Sequence, residues 1–191
     1  MNLAKLFEMQ RQLDEHIEKE HPRQDGEDRL AKKILALYGE LGELLKEWRG
    51  FKFWSHNQEP RTKQPIYYRK CDGDGCYKCD DKGIVGYKNP LLEEYVDCLH
   101  FILSIGLETG KYKEIEFQVL YADEQDIVMQ FNVLFDKVGD FYAYRTKGNY
   151  QIVLSLFLAL GEMLGFTWDQ IEEAYMKKNA KNHRRQDSGV Y

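Results

Sequence analysis

Two pairs of acidic residues set the chemistry open to this chain. Glu40 and Glu43 stand three residues apart, as do Glu94 and Asp97, and each pair lies in a strongly helical pattern. At about 100° per residue, positions i and i+3 sit about 60° apart on one helix face. Two helices facing each other with such pairs bring four carboxylates into one cleft. Four anions cannot share a dry cleft without a cation between them. All-oxygen ligation with open positions suits Mg²⁺ or Mn²⁺, which keep water and take up substrate phosphates. The pattern therefore predicts metal-dependent phosphate chemistry built on helices. Lysine or arginine partners for each acid are the alternative.

Other polar residues fall where apolar ones are expected. His100 extends the Glu94, Asp97 series by another i+3 step, giving a polar seam on a helix apolar over most of its circumference. Gln10 and Asp14 interrupt the stripe of Leu3, Leu6, Phe7, Leu13 and Ile17. Each must bond to a neighbouring helix or read a buried ligand. Near the end, Lys178, Asn182 and Arg185 recur at i, i+4 and i+7 within the one basic concentration of an acidic chain. That face suits a polyphosphate, or simply complements a helix C-terminus. Neither a Ser or Cys nucleophile with a His base nor a Gly-rich phosphate loop is apparent.

The elements that must position these residues are helical. Periodicity predicts helices over about 2–19, 27–49, 90–109 and 123–144, an apolar central helix over 152–164, and a last one from 168 to 178 or beyond. Gly148-Asn149 reads as a turn and 111–124 as ambiguous. Residues 51–88 break the rhythm as an inserted loop or knuckle, with a short β-ribbon at 84–87. Its Cys71, Cys76 and Cys79 have the spacing C-x4-C-x2-C, three of the four ligands of a closed Zn²⁺ site. His56, Asp72 or an atom of another chain could be the fourth, and a reduced, metal-free loop is the alternative. The fold class expected is all-α, with one domain spanning 1–191.

Net charge is −5, so no general field attracts DNA, RNA or an anionic membrane. The longest apolar run, Ile152 to Leu160, is too short for a bilayer, and no signal-peptide pattern opens the sequence. A cytoplasmic protein is expected.

The ordered set Glu40-x-x-Glu43, Glu94-x-x-Asp97 with His100, and Lys178-Asn179-x-x-Asn182-x-x-Arg185-Gln186-x-x-Gly189-x-Tyr191 resembles the dimeric all-α dUTPases. These belong to the wider MazG-like nucleoside triphosphate pyrophosphatases. The resemblance runs from Met9-Gln10 to the last residue and implies a MazG-like helical bundle and a homodimer. It implies Mg²⁺ held by Glu40, Glu43, Glu94 and Asp97, with Mn²⁺ as a substitute. The implied reaction is hydrolysis of dUTP and dUDP to dUMP by an activated water, with Glu40 or Glu43 as base. Lys178, Asn182, Arg185 and Tyr191 would hold phosphates, and Gln10 with Asp14 would read the uracil edge. Trp54 would lie against the base, a role open also to Phe53 or Trp48, and His100 would approach the deoxyribose. The family often carries Asn where Asp14 stands, and the Cys-bearing insertion departs from the compact spacing. Alternatives are a MazG-like pyrophosphatase for dCTP or a modified nucleotide, and a non-enzymatic helical adaptor. A protein regulator docking on residues 55–88 is a further expectation.

Overall fold

The computed structural model describes residues 2–67, 84–114 and 118–190. Six helices dominate them: α1 (Leu3–Glu20), α2 (Arg29–Trp48), α3 (Pro90–Thr109), α4 (Ile127–Tyr144), α5 (Lys147–Met163) and α6 (Trp168–Ser188). The fold is all-α, as its periodicity predicts. Each helix starts behind a short polar side chain that accepts a hydrogen bond from the backbone N–H three residues on: Asn2, Asp28, Asn89, Asp126, Thr146 and Thr167. Such caps satisfy an N–H that the helix itself leaves unbonded.

α3 is the centre. It packs on α2 above all, and also on α1, α6 and α5, while α4 and α5 pair with each other. Its Leu91, Tyr95, Val96, Leu99, Ile102, Leu103 and Ile105 are all buried. At about 1.5–3 kcal/mol for each large apolar side chain buried, they outweigh the desolvation cost of its polar seam. Two tyrosines lock α3 to α5. The Tyr95 ring stacks on Phe157 at 4.3 Å and its hydroxyl donates to the Phe157 carbonyl at 3.2 Å. From the other side, the Tyr150 hydroxyl donates to the Ile102 carbonyl at 3.0 Å. Both hydroxyls lie where a Cβ would stand on Gly161 and Gly106 respectively, so only glycine allows this approach.

Some boundaries differ from the periodic pattern. α5 begins at Lys147, because Thr146 caps it and Gly148-Asn149 lie inside its first turn. The chain reverses instead at Arg145, which adopts a left-handed conformation with φ 48°. α6 runs on to Ser188 and ends at Gly189, also left-handed. The ambiguous stretch holds a 3-10 turn, Lys111–Glu114.

Within the insertion, β1 (Gln64–Tyr67) pairs antiparallel with β2 (Ile84–Lys88), the ribbon expected at 84–87. Its stem is tied down where Arg61 N–H donates to the Glu47 carbonyl and Leu91 N–H donates to the Arg61 carbonyl. Cys71, Cys76 and Cys79 lie outside the described residues. Among the described residues, no single helix is long and apolar enough to cross a membrane.

Candidate metal and nucleotide site

Four helices converge on one cavity of about 720 Å³. α1 brings Gln10 and Asp14, α2 brings Lys33 and Glu40, and α3 brings Asp97, His100, Ser104 and Glu108. α6 adds Lys178, Asn182 and Arg185. A second cavity of about 560 Å³ shares Asp97 and Lys178 and has Glu94 in its wall. The acidic cluster therefore stands between two openings.

Ligand atoms of Glu40, Glu94 and Asp97 all lie within 4.8 Å of one another. The meeting of α2 and α3 acids predicted from their spacing is thus realised for three of the four. Burial, helped by the charges of Asp97 and Glu40, pushes the Glu94 carboxyl up to about 7. Burial raises Glu40 too, with the nearby Asp97 charge adding to it. Asp97 is also raised by burial, although the Lys178 ammonium that donates to it pulls the other way. Arg185 and Lys181 act on Asp97 from farther off, yet all three carboxyls stay raised. An all-oxygen donor set of this kind fits a hard divalent cation.

Glu43 is placed differently. Its carboxylate is more than half exposed and pairs with Lys46 at 2.6 Å. It stands at the rim of the cluster, near enough for its charge to raise Glu40 and Glu94. The salt-bridge alternative therefore holds for Glu43 and for Asp97. Among the described residues, Glu40 and Glu94 form no ion pair.

Beyond the acids the cavity is lined by a hydrogen-bonded network. Gln10 is only 3% exposed. Its Oε1 accepts from the Tyr175 hydroxyl at 2.7 Å and lies 2.7 Å from His100 Nδ1. An amide oxygen only accepts, so Nδ1 carries the imidazole proton. Nε2 then holds a bare lone pair, buried and without a partner among the described residues. Burial, with Lys178 adding to it, lowers the His100 pKa to about 3 and keeps the ring neutral. The ring also stacks on Tyr175 at 4.1 Å. On its other side the Gln10 amide N–H donates to Asp14 Oδ1 at 2.7 Å. Ser104 donates to Asp14 Oδ2 at 2.6 Å.

The remaining predicted residues divide. Asn182 and Arg185 line the cavity with Lys178, and α6 is pinned to α1 where His16 and His183 approach at 2.9 Å between their Nδ1 atoms. Trp54 does not line it. It is 65% exposed and meets Phe53 and Phe51 edge to face at 5.0 and 5.7 Å. Phe53 is exposed as well, and Trp48 is buried against Phe131. Tyr191 lies outside the described residues.

Sequence reasoning missed Ser104, Lys33 and Tyr175. Ser104 and Glu108 continue the Glu94, Asp97, His100 seam at i+4 steps, a signal that was present. Lys33 lies two turns before Glu40, which an isolated lysine on a helix does not advertise.

An all-helical fold with a three-carboxylate cluster that could hold a metal ion, and a cationic helix beside it, defines the class of protein to which the chain must be compared. Comparison with family models assigns it further. The model of a family described as dUTPase matches residues 2–68 and 76–190, and the chain belongs to this helical dUTPase family. The match includes every carboxylate of the cluster and the Lys178–Arg185 face. A comparison with curated proteins returned no match. The family is one of hydrolases that act on nucleoside triphosphates.

Proposed function

We propose that the protein is a divalent-metal-dependent dUTP diphosphatase, hydrolysing dUTP and dUDP to dUMP. One observation carries the reading: Glu40, Glu94 and Asp97 meet beside the buried Gln10–His100 network. Glu40, Glu94 and Asp97, with Glu43 at the rim, would hold Mg²⁺, or Mn²⁺ in its place, and the ion would supply positive charge against the substrate's phosphates.

The chain's own groups do the rest. Glu40 lines the cavity with a raised pKa, so it is better placed than the Lys46-paired Glu43 to take the proton of an attacking water. Lys178 is held at the cluster by Asp97, and its ammonium can turn to a phosphate oxygen once that carboxylate is engaged elsewhere. Asn182 and Arg185 extend the same face, with Tyr191 in the family's phosphate-holding role. Gln10 and Asp14 read the base, and the bare Nε2 of His100 accepts a hydrogen bond from a sugar hydroxyl. Trp54 would reach the base only if the turn following α2 moved. We further propose a homodimer, since Leu35 on α2 and Val128 and Met129 on α4 present apolar surface to solvent.

Nucleotide products from dUTP, dUDP, UTP and the four common dNTPs, with Mg²⁺ and with EDTA, test the proposal. Selective, cation-dependent release of dUMP is expected. No hydrolysis of dUTP with either cation would refute it, and equal rates on all bases would refute the specificity.

A further inference from the structure

The base-proximal part of the cavity contains a cation that the proposed reaction does not yet use. Lys33 Nζ lies 3.4 Å from Asp14 Oδ2 and 3.0 Å from Glu108 Oε2. Glu108 is itself gripped by Arg23 through two bonds of 2.7 Å, so Lys33 is held from behind as well as from the side. Its side chain is only 17% exposed, yet it lines the cavity. Asp14 thus has the Gln10 amide on Oδ1 and the Lys33 ammonium on Oδ2.

Counting bonding capacity gives this row an order. Gln10 has two amide N–H groups and uses one on Asp14. A carboxylate has about four acceptor positions, and Asp14 fills three, from Gln10, Ser104 and Lys33. Lys33 has three N–H groups and uses two, on Asp14 and Glu108. What remains is one donor, one acceptor and one donor in that spatial order. The uracil edge offers the complement: O2 accepts, N3–H donates and O4 accepts. Cytosine sets its N3 lone pair against the carboxylate and its amino group against the ammonium, so both contacts turn repulsive.

We infer that Lys33 is a specificity-determining residue of the nucleotide site, donating to the 4-keto oxygen of uracil while Asp14 takes the N3 proton and Gln10 donates to O2. The inference rests on the nucleotide reading above and deepens it. It concerns the hydrogen-bonding edge alone, so the same row accepts thymine.

The test compares dUTP and dCTP as substrates of wild type, Lys33→Met and Lys33→Arg, and compares dUMP and dCMP binding by calorimetry. The methionine keeps the stem and removes the donor, which should lower the dUTP-to-dCTP ratio of kcat/KM by about 10–100-fold. Lys33→Arg should keep the wild-type preference. A ratio unchanged in Lys33→Met, or equal losses on both substrates, overturns the inference, because a merely structural lysine would do the latter. If Lys33→Met does not fold, the binding comparison decides: wild type and Lys33→Arg should both favour dUMP, and equal affinity for dCMP overturns it. Tight dUMP binding whose preference over dCMP is lost in Lys33→Met, without turnover of any triphosphate, would uphold this inference and sink the catalytic reading instead.

Discussion

Glu94 is the residue most exposed to the consequences of the cluster. Glu94→Gln removes one proposed ligand and one ionisable carboxyl while keeping the side-chain shape. Turnover of dUTP should fall by about 100-fold or more, while helical circular dichroism stays that of wild type. Its titration gives a second expectation. Between the ordinary 4.5 and the folded value of about 7, the metal-free folded protein keeps a proton that the unfolded chain has lost. Stability from this group is therefore lost as pH rises through that window. A divalent cation displaces the proton, so the rise in Tm on adding Mg²⁺ should be larger at about pH 8 than at about pH 5.5. His100 acts in the opposite sense. Held neutral down to about 3, against 6.5 ordinarily, it contributes stability above 6.5 that is lost as pH falls. With Mg²⁺ present, His100→Asn should flatten the acid limb of a Tm-against-pH curve. The Glu94, Asp97, His100 seam was legible because polar residues at i+3 steps on an apolar helix have few explanations. Glu43's outward placement was not, since the offset of about 60° between i and i+3 leaves open which of the two faces the cleft.

At the level of elements, caps and periodicity carried most of the information. Periodicity predicts α3 over 90–109, and Asn89-Pro90 and Gly110 bound it there, while Thr167 caps α6. The start of α5 was obscured because Gly148 and Asn149 resemble a turn, yet Thr146 already supplies the cap. β1 was hidden by Pro65 and by its short length, and only pairing with β2 reveals it. The closest helix contacts are also invisible in one dimension. Gly161→Ala would force Tyr95 off its Phe157 carbonyl, which should cost about 1–3 kcal/mol in urea unfolding. Tyr95→Phe in the same chain should recover part of that loss by removing the overlapping hydroxyl.

For the molecule as a whole, the site draws on α1, α2, α3 and α6, while α5 braces α3 and α4 packs on α5 and α2. That α2 and α3 would meet through their acids was one of two readings the charges allowed, and the ion pairs of Glu43 and Asp97 show that the other, pairing with lysine, holds beside it. The position of Trp54 did not follow, since it depends on the turns after α2 rather than on any periodic signal. If the apolar surface of α2 and α4 is an interface, light scattering should give twice the 22.6 kDa of one chain. A substitution such as Leu35→Glu should then shift the mass toward the monomer.

The grip of Tyr175 and His100 on the Gln10 oxygen bears on how a base would be chosen under the proposed function. A glutamine amide free to rotate presents either its oxygen or its nitrogen, and so tolerates either kind of partner. Here two donors fix the oxygen before any nucleotide arrives, and the nitrogen can only face the cavity. Orientation is settled during folding rather than at encounter, so in the base-reading role proposed for Gln10 rejection of the wrong base would need no rearrangement.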